Sequence, residues 1–253
     1  MRHAELPEQS LTNESCPSCR TCRQFRNCLS SSLSEENLAH FRALLEQESP
    51  IPRGTQLYGI GQPFRSLYVI RSGSFKSYTV TKDYDQQNQG FAVAGDILGI
   101  DAIHAGEHPS TARALEMSSV CAIPYAAIED LALRAPELHR QLLRLMSREV
   151  FNQLLLVQTI GRCRAEERLA YFLARFSDRL ANQGLSPYRF QLPMTHHDLA
   201  NYLGLTPATL SRLFRRFEAN GWVSMGARSK NLILEDLSAL REMVSTIGAL
   251  HET

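Results

Sequence analysis

The sequence lacks the long apolar segments that membrane and secreted proteins need. No run of about 18 apolar residues occurs in the chain, so no segment is expected to cross a bilayer. The stretch from Met1 to Ser15 is polar and has no apolar centre of the kind that a secretory signal contains. We therefore expect a cytoplasmic protein without a membrane partner.

Residue sets for catalysis are missing as well. The sequence shows no paired carboxylates, no nucleophile beside a base and no glycine-rich phosphate loop, which are the groups from which an active site is usually recognised. An excess of charge of one sign is also absent, because the formal net charge is only +1. We expect a binding protein and not an enzyme.

The charge is nevertheless unevenly distributed. Between Gly161 and Lys230 there are eleven basic and five acidic residues. A basic part on a nearly neutral chain is typical of a domain that contacts phosphates. A solvated charged face would give the same count and stays the alternative at this point.

The cysteines are clustered near the N-terminus. Cys16, Cys19, Cys22 and Cys28 lie within 13 residues, and the chain holds six cysteines in all. In a cytoplasmic chain such clustering indicates metal or redox chemistry rather than a disulfide framework. Residues 1–30 contain few large apolar side chains, so we expect them to build no core and to be ordered by something else.

The segment after the cysteines predicts a helix and then a β-rich domain. Ser34 and the apolar face of Asn37–Leu45 predict a capped helix. Between Ile51 and Pro124, glycine-separated runs predict an all-β sandwich or roll of about eight strands. The runs are Gln56–Tyr58, Ser66–Arg71, Ser74–Thr81, Phe91–Val93, Ser110–Ala114 and Ser119–Ile123.

A long helix is predicted next. Tyr125–Leu133 indicates a short helix, and Pro136 precedes a long helix over Glu137–Ile160. Residues at 3-4-3-4-3 spacing form a seam as in a dimeric coiled coil, namely Leu143, Met146, Val150, Gln153, Val157 and Ile160. We expect a homodimer; a helix packed only on its own domain is the alternative.

The C-terminal part carries the pattern of a helix-turn-helix. After a helix over Ala165–Leu180, two further helices are predicted over Thr195–Leu203 and Thr206–Ala219, with Gly204 between them. Thr195 and Asp198 resemble a capping box, Gly204 permits the positive φ of the turn, and Pro207 suits a first helical position. Leu199, Leu203, Leu210 and Leu213 would pack the two helices together.

The second helix of this pair presents residues that can read DNA. Its outward face would hold Ala208, Ser211, Arg212 and Arg215, with Ser211 and Arg212 able to contact bases in the major groove. Phosphate contacts are expected from Thr206, Thr209, Arg215 and Arg216. A hairpin of Trp222–Met225 and Asn231–Leu234, with Arg228 and Lys230 in its loop, would form a wing. We expect double-stranded DNA as partner; a plain helical hairpin is the alternative.

Three strings together resemble the FNR branch of the CRP/FNR regulators: C-P-S-C-R-T-C-R-Q-F-R-N-C, S-S-V-C-A-I-P and N-Y-L-G-L-T-P-A-T-L-S-R. The resemblance covers nearly the whole chain. It implies an α+β fold, with an N-terminal β-roll of the cupin-like jelly-roll type, a long dimerisation helix and a winged helix-turn-helix. The implied parts are a cysteine-rich segment (1–30), the sensory β-roll (31–136), the dimerisation helix (137–162) and the DNA-binding domain (163–253).

The resemblance also implies a 4Fe–4S cluster held by Cys19, Cys22, Cys28 and Cys121, with Cys16 and Cys163 as bystanders. Four thiolates suit such a cluster but also suit tetrahedral zinc, so zinc is the rival. In this family oxygen degrades the cluster and the dimer separates. Nitric oxide or general redox state is the alternative signal.

Further partners follow from the same resemblance. RNA polymerase is implied, with the Lys82–Gln89 loop as a candidate surface. A cyclic nucleotide is not expected, because the Arg-Ser pair that grips the cyclic phosphate in relatives is replaced by His108-Pro109-Ser110-Thr111.

The sequence departs from the family pattern at three places. Gln153 stands where oxygen-responsive members carry an acidic residue, which suggests a dimer that depends less on the cluster. Ala208 stands where the recognition helix usually has a glutamate, which suggests weaker discrimination at one base pair. Arg23 and Asn27 replace small or apolar residues beside the cysteines, where charge and hydrogen bonding tune a cluster.

Overall fold

A computed structural model describes residues 19–47, 50–80, 85–226 and 231–245. Cys16, Arg228 and Lys230 lie outside these ranges. The described chain begins with three short 3-10 turns, Cys19–Thr21, Phe25–Asn27 and Leu29–Ser32, which lead into helix α1, Glu35–Ala43. The Ser34 hydroxyl accepts a hydrogen bond from the Asn37 amide at 3.3 Å and caps α1 as predicted. The helix ends two residues earlier than the sequence pattern indicated.

Eight strands form the predicted β-roll as two four-stranded antiparallel sheets. The strand order is β1-β8-β3-β6 in one sheet and β2-β7-β4-β5 in the other. Alternating side chains such as Ile70, Phe75 and Val120 are fully buried between them. The strands are β1 Glu46–Gln47, β2 Gln56–Tyr58, β3 Ser66–Ser72, β4 Ser74–Val80, β5 Gln86–Val93, β6 Ile97–Leu98, β7 Thr111–Ala114 and β8 Ser119–Pro124.

Strand β5 corrects the sequence prediction at its N-terminal end. The pattern indicated a strand only from Phe91 and a loop over Lys82–Gln89, but Gln86–Gln89 belongs to β5 and pairs with β4. Its polar side chains gave no alternating apolar signal. Two of these side chains, Gln87 and Asn88, contact the C-terminal domain rather than the interior of the roll, which accounts for their polarity.

The cysteine-bearing segment contributes to a core, against expectation. Leu29 is fully buried in an apolar cluster that also includes Leu67 of β3, Ile123 of β8 and Leu138. Phe25 and Leu33, four residues to either side of Leu29, belong to the same cluster, and this i, i+4 spacing was the available sequence signal. The residues from Cys19 onward are therefore fastened to the roll and to the following long helix by packing.

Two helices connect the roll to the C-terminal domain. Helix α2 spans Tyr125–Arg134 and α3 spans Pro136–Arg162, with Pro136 at its first position. One face of α3 is buried against its own chain, through Leu138, Leu142, Leu145, Leu155, Leu156 and Thr159. None of the helices in the ranges given above is long and apolar enough to cross a membrane.

The C-terminal domain is a helix-turn-helix with a small sheet. Helix α4 spans Ala165–Asn182, α5 His196–Tyr202, α6 Pro207–Ala219 and α7 Leu237–Val244. Strands β9 Arg189–Gln191, β10 Val223–Met225 and β11 Asn231–Leu234 form a sheet in the order β10-β11-β9. The predicted hairpin is confirmed, whereas β9 and α7 are additions. The spacing of the buried Leu237, Leu240 and Val244 was the available signal for α7.

Candidate functional site

The four predicted ligand cysteines line one small pocket. Cys19, Cys22 and Cys28 come from consecutive turns of the N-terminal segment, and Cys121 comes from β8. The turns are held by backbone hydrogen bonds from the Cys22 amide to the Cys19 carbonyl at 3.1 Å and from the Phe25 amide to the Cys22 carbonyl at 3.0 Å. The fold thus brings Cys121 into the same pocket as three cysteines that precede it by at least 93 positions.

The walls of this pocket are mostly apolar. Phe25, Phe41, Leu45, Val69 and Ile123 contribute to the lining, with Gln24, Ser30 and Arg71 as the other members. Burial raises the pKa of the Cys28 thiol, hydrogen bonds to Ser30 act in the opposite direction, and the neighbouring Cys22 adds to the rise. Such surroundings favour the neutral Cys28 thiol until a cation compensates the charge of the thiolate.

The donors around this pocket suit a thiolate-held metal group, whereas its volume is small. Within the described part of the chain, no three His, Cys, Asp or Glu side chains converge closely enough to hold one metal ion. The open volume is about 20 Å³, roughly that of one water probe, so a larger group requires the short turns to move outward. The donor set itself, four cysteine sulfurs with an apolar surround, fits an iron–sulfur cluster.

The residues that replace the relatives' Arg-Ser pair make contacts within the chain's own fold. His108 is buried and stacks on Tyr58, with ring centroids 3.7 Å apart. Phe64 meets the same imidazole edge-on at 5.8 Å. The Ser110 hydroxyl donates to the Asp101 carboxylate at 3.0 Å. Burial lowers the pKa of His108, so this imidazole favours the neutral form.

The helix-turn-helix has the predicted local geometry. The Thr195 hydroxyl accepts from the Asp198 amide at 3.0 Å, and the Asp198 carboxylate accepts from the Thr195 amide at 3.3 Å, which confirms the capping box. Gly204 has a φ of 65° in the turn. The Thr206 hydroxyl accepts from the Thr209 amide at 3.1 Å and caps α6. Leu199, Leu203, Leu210 and Leu213 are buried between the helices as predicted.

The outward face of α6 is open to solvent. Ala208, Arg212 and Arg215 are exposed, and Ser211 is half-buried. The Arg212 guanidinium donates to the Thr209 hydroxyl at 3.2 Å, which holds it along the helix surface. Arg216 forms an ion pair with Glu166 of α4, so part of its charge is neutralised within the chain.

The predicted seam of α3 lies on the face turned away from its own domain. Leu143, Val150 and Val157 are 51%, 60% and 68% exposed. Gln153 is exposed too and donates to the Glu149 carboxylate at 2.7 Å, whereas Met146 and Ile160 are half-buried. The sequence pattern missed Phe151 and Leu154, which are also exposed and widen this apolar surface.

The two halves of the chain match known families. Residues 48–135 match the cyclic nucleotide-binding domain, and residues 167–243 match the Crp-like helix-turn-helix domain. Similarity to solved structures includes FixK2 from Bradyrhizobium japonicum, with a TM-score of 0.72 and 24% identity over 79% of this chain and 96% of that chain. That likeness supports the fold.

Curated relatives extend over most of the chain. The fumarate and nitrate reduction regulatory protein of Escherichia coli K12 is 41% identical over 225 residues, which are 89% of each protein. The fumarate nitrate reduction regulatory protein of Klebsiella oxytoca has the same identity and coverage. With the β-roll, the long helix and the helix-turn-helix in the order of that family, the chain belongs to the CRP/FNR family and is a DNA-binding transcription regulator of the FNR type.

Proposed function

We propose that this regulator senses oxygen through a 4Fe–4S cluster held by Cys19, Cys22, Cys28 and Cys121. The observation that carries the proposal is the meeting of these four side chains in one apolar pocket. Four thiolates would also suit tetrahedral zinc, which is the alternative occupant of this site. The identity to relatives named for fumarate and nitrate reduction supports the same assignment.

The residues around the cysteines have distinct roles in this proposal. When bound, the cluster supplies an oxygen-labile connection between the N-terminal turns and the β-roll. Phe25, Phe41 and Ile123 restrict the access of water to the sulfurs. Arg23 is exposed and adds a positive charge one residue from Cys22, so it is a candidate for tuning the reactivity of the cluster.

The cysteine segment is joined to the start of α3, which supports a route from cluster to dimer helix. The Gln141 amide donates to the Cys28 carbonyl at 3.4 Å and to the Ser31 hydroxyl at 3.2 Å. The Ser32 hydroxyl donates to the Glu137 carbonyl at 3.1 Å. Because Leu29 is buried in the same cluster as Leu138, a displacement of the turns would disturb the first turns of α3.

A second copy of the chain is the proposed occupant of the exposed face of α3. Leu143, Met146, Val150, Gln153, Val157 and Ile160 would form its interface, with Phe151 and Leu154 beside them. A contiguous apolar stripe of this kind is costly to leave in water, and the heptad spacing matches knobs-into-holes packing. The two-fold symmetry of such a dimer would match an inverted-repeat DNA site.

DNA reading is assigned to the open face of α6. We propose base contacts from Ser211 and Arg212. Contacts to the DNA phosphates are proposed from Thr206, Thr209, Arg215 and Arg216. The ion pair of Arg216 with Glu166 weakens its attraction to the phosphates. RNA polymerase is a proposed protein partner. A cyclic nucleotide is not expected as ligand, since His108-Pro109-Ser110-Thr111 replaces the Arg-Ser pair of relatives and His108 is buried against Tyr58.

Exchanging Ala208 for glutamate should change the sequence preference of the protein. A carboxylate at this exposed position can accept from cytosine N4, so Ala208→Glu is expected to gain about 1–3 kcal/mol of discrimination at one base pair of the half-site. A binding selection on randomised duplexes measures this gain. If the unaltered protein already selects that base pair as stringently as Ala208→Glu, the assigned role of position 208 is wrong.

The proposed signal is tested by measuring DNA binding before and after the protein is exposed to oxygen. Protein purified without oxygen should bind an inverted-repeat duplex as a dimer, and exposure to air should reduce that binding by at least about tenfold, or 1.4 kcal/mol. The same measurement after exposure to nitric oxide distinguishes a sensor of oxygen from a sensor of nitric oxide. Loss of binding with nitric oxide but not with oxygen would contradict oxygen as the signal.

A further inference from the structure

The first helix of the helix-turn-helix is fixed to the β-roll by a shielded ion pair. The Lys76 ammonium on β4 donates to the Asp198 carboxylate on α5 at 2.6 Å, and the two side chains are only 13% and 12% exposed. Burial alone would raise the pKa of the Asp198 carboxyl, but its bonds with Lys76 and Thr195 hold that pKa below its usual range. The same carboxylate completes the capping box of α5.

A second set of bonds lies beside this ion pair. The Asn88 side-chain amide donates to the Asp198 carbonyl at 3.0 Å, and the Asn88 backbone amide donates to the Asn201 side-chain oxygen at 2.6 Å. The Asn201 side-chain amide in turn donates to the Gln86 carbonyl at 2.8 Å. Because these bonds involve the backbone of both β5 and α5, they fix the orientation of α5 relative to β5 as well as the distance between them.

Apolar packing and a second ion pair complete the contact. Phe91 of β5 meets Tyr202 of α5 with ring centroids 5.2 Å apart and Phe172 of α4 at 6.2 Å. Arg179 of α4 pairs with the Asp96 carboxylate and donates to the Phe91 carbonyl at 2.9 Å. The contact has an apolar centre with ion pairs on its flanks, as in a specific protein interface.

This contact leaves the DNA-reading surface free. Ala208, Arg212 and Arg215 of α6 are exposed while α5 is held by β4 and β5. A contact that blocked DNA binding would bury that face. The geometry therefore suits a contact that positions the helix-turn-helix rather than one that inhibits DNA binding.

We propose that the β4–β5 hairpin is the platform that sets the direction of the helix-turn-helix, with Lys76 and Asn88 as positioning residues for DNA recognition. In a dimer, the β-rolls and α3 helices fix where each hairpin lies, and the hairpin fixes where each α6 points. Two recognition helices held in this way accept only one separation of half-sites. The inference rests on the proposed dimer and concerns the spacing of the DNA site, not the bases read.

The test compares spacing preference with overall affinity. Lys76→Met and Asn88→Ala are measured as full-length dimers on inverted repeats with the spacing preferred by the unaltered protein and with spacings one base pair shorter and longer. A single half-site duplex is included. Arg42→Met, on the exposed surface of α1, removes a positive charge away from the contact and serves as control.

We expect both contact variants to lose about tenfold of their discrimination between spacings, while the control keeps it and single half-site binding is unchanged. Asn88→Ala keeps the ion pair of Lys76 with Asp198, so its discrimination between spacings can still be measured if Lys76→Met is poorly folded. Equal weakening on every duplex, or unaltered discrimination in Asn88→Ala, would overturn the platform. A dimer of the unaltered protein that binds all spacings equally would overturn it as well. An unaltered protein that binds an inverted repeat no more tightly than a single half-site would instead contradict the proposed dimer.

Discussion

Serine in place of Cys19, Cys22, Cys28 or Cys121 should abolish the cluster. An alkoxide or hydroxyl oxygen is a poor partner for the soft iron–sulfide group that thiolates bind. Each of the four side chains reaches the pocket from a turn or a strand, and no further thiol among the described residues lines it. We expect each variant to lose most of its iron and sulfide and at least about 100-fold, or about 2.7 kcal/mol, in DNA affinity.

The chain contains its own control for this experiment. Cys163 follows α3 and is buried in the core of the C-terminal domain, far in sequence from the four proposed ligands. Cys16→Ser and Cys163→Ser should keep the iron content and the DNA affinity of the unaltered protein. Full iron and sulfide in Cys121→Ser, or their loss in Cys163→Ser, would contradict the assigned ligand set.

Glutamate in place of Gln153 should separate the dimer. Two facing carboxylates about 5 Å apart repel by roughly 3 kcal/mol at an effective dielectric constant near 20. Gln153 now donates to Glu149 one turn earlier, and a glutamate would exchange that hydrogen bond for a further like-charge pair on the same helix. We expect the dimer dissociation constant of Gln153→Glu to rise by about 100-fold in sedimentation equilibrium.

A glutamine elsewhere on α3 gives a matched control. Gln158 is exposed and lies outside the predicted seam, so Gln158→Glu makes the same chemical change away from the interface. It should leave dimerisation unaltered. The accompanying proposal, that Gln153 makes the dimer less dependent on the cluster, fails if cluster-free unaltered protein is monomeric at micromolar concentration.

Local patterns in the sequence were enough to predict the helix-turn-helix. The capping box of Thr195 and Asp198, the positive φ of Gly204 and the place of Pro207 each depend on a few adjacent residues, and the structure confirms them. The strands of the roll were predictable for the same reason. Their alternating apolar side chains report directly which face is buried.

Contacts between distant segments could not be predicted in this way. Lys76 and Asp198 are 122 residues apart. Lys76 has no local signal beyond an ordinary surface charge, and the local signal of Asp198 indicated only its place in the capping box. The polar start of β5 was assigned to a loop because its partners lie in another domain. Leu29 was overlooked because its burial depends on α3, which follows more than a hundred residues later.

The candidate metal site lies between these cases. The spacing of the N-terminal cysteines indicated metal or redox chemistry, but it could not identify a fourth ligand or separate iron–sulfur from zinc. Cys121 was assigned from the family resemblance, and the fold places its side chain in the same pocket as the other three. Proximity in the fold supports that assignment in a way that spacing in the sequence could not.

The central claim is that the four cysteines hold an oxygen-labile iron–sulfur cluster, and the most direct test is elemental analysis of protein purified without oxygen. Iron, acid-labile sulfide and zinc are measured per chain together with the visible absorption spectrum. The proposed cluster predicts about four iron and four sulfide per chain, with absorption that is lost in air. One zinc per chain without sulfide, unchanged by air, would contradict the account.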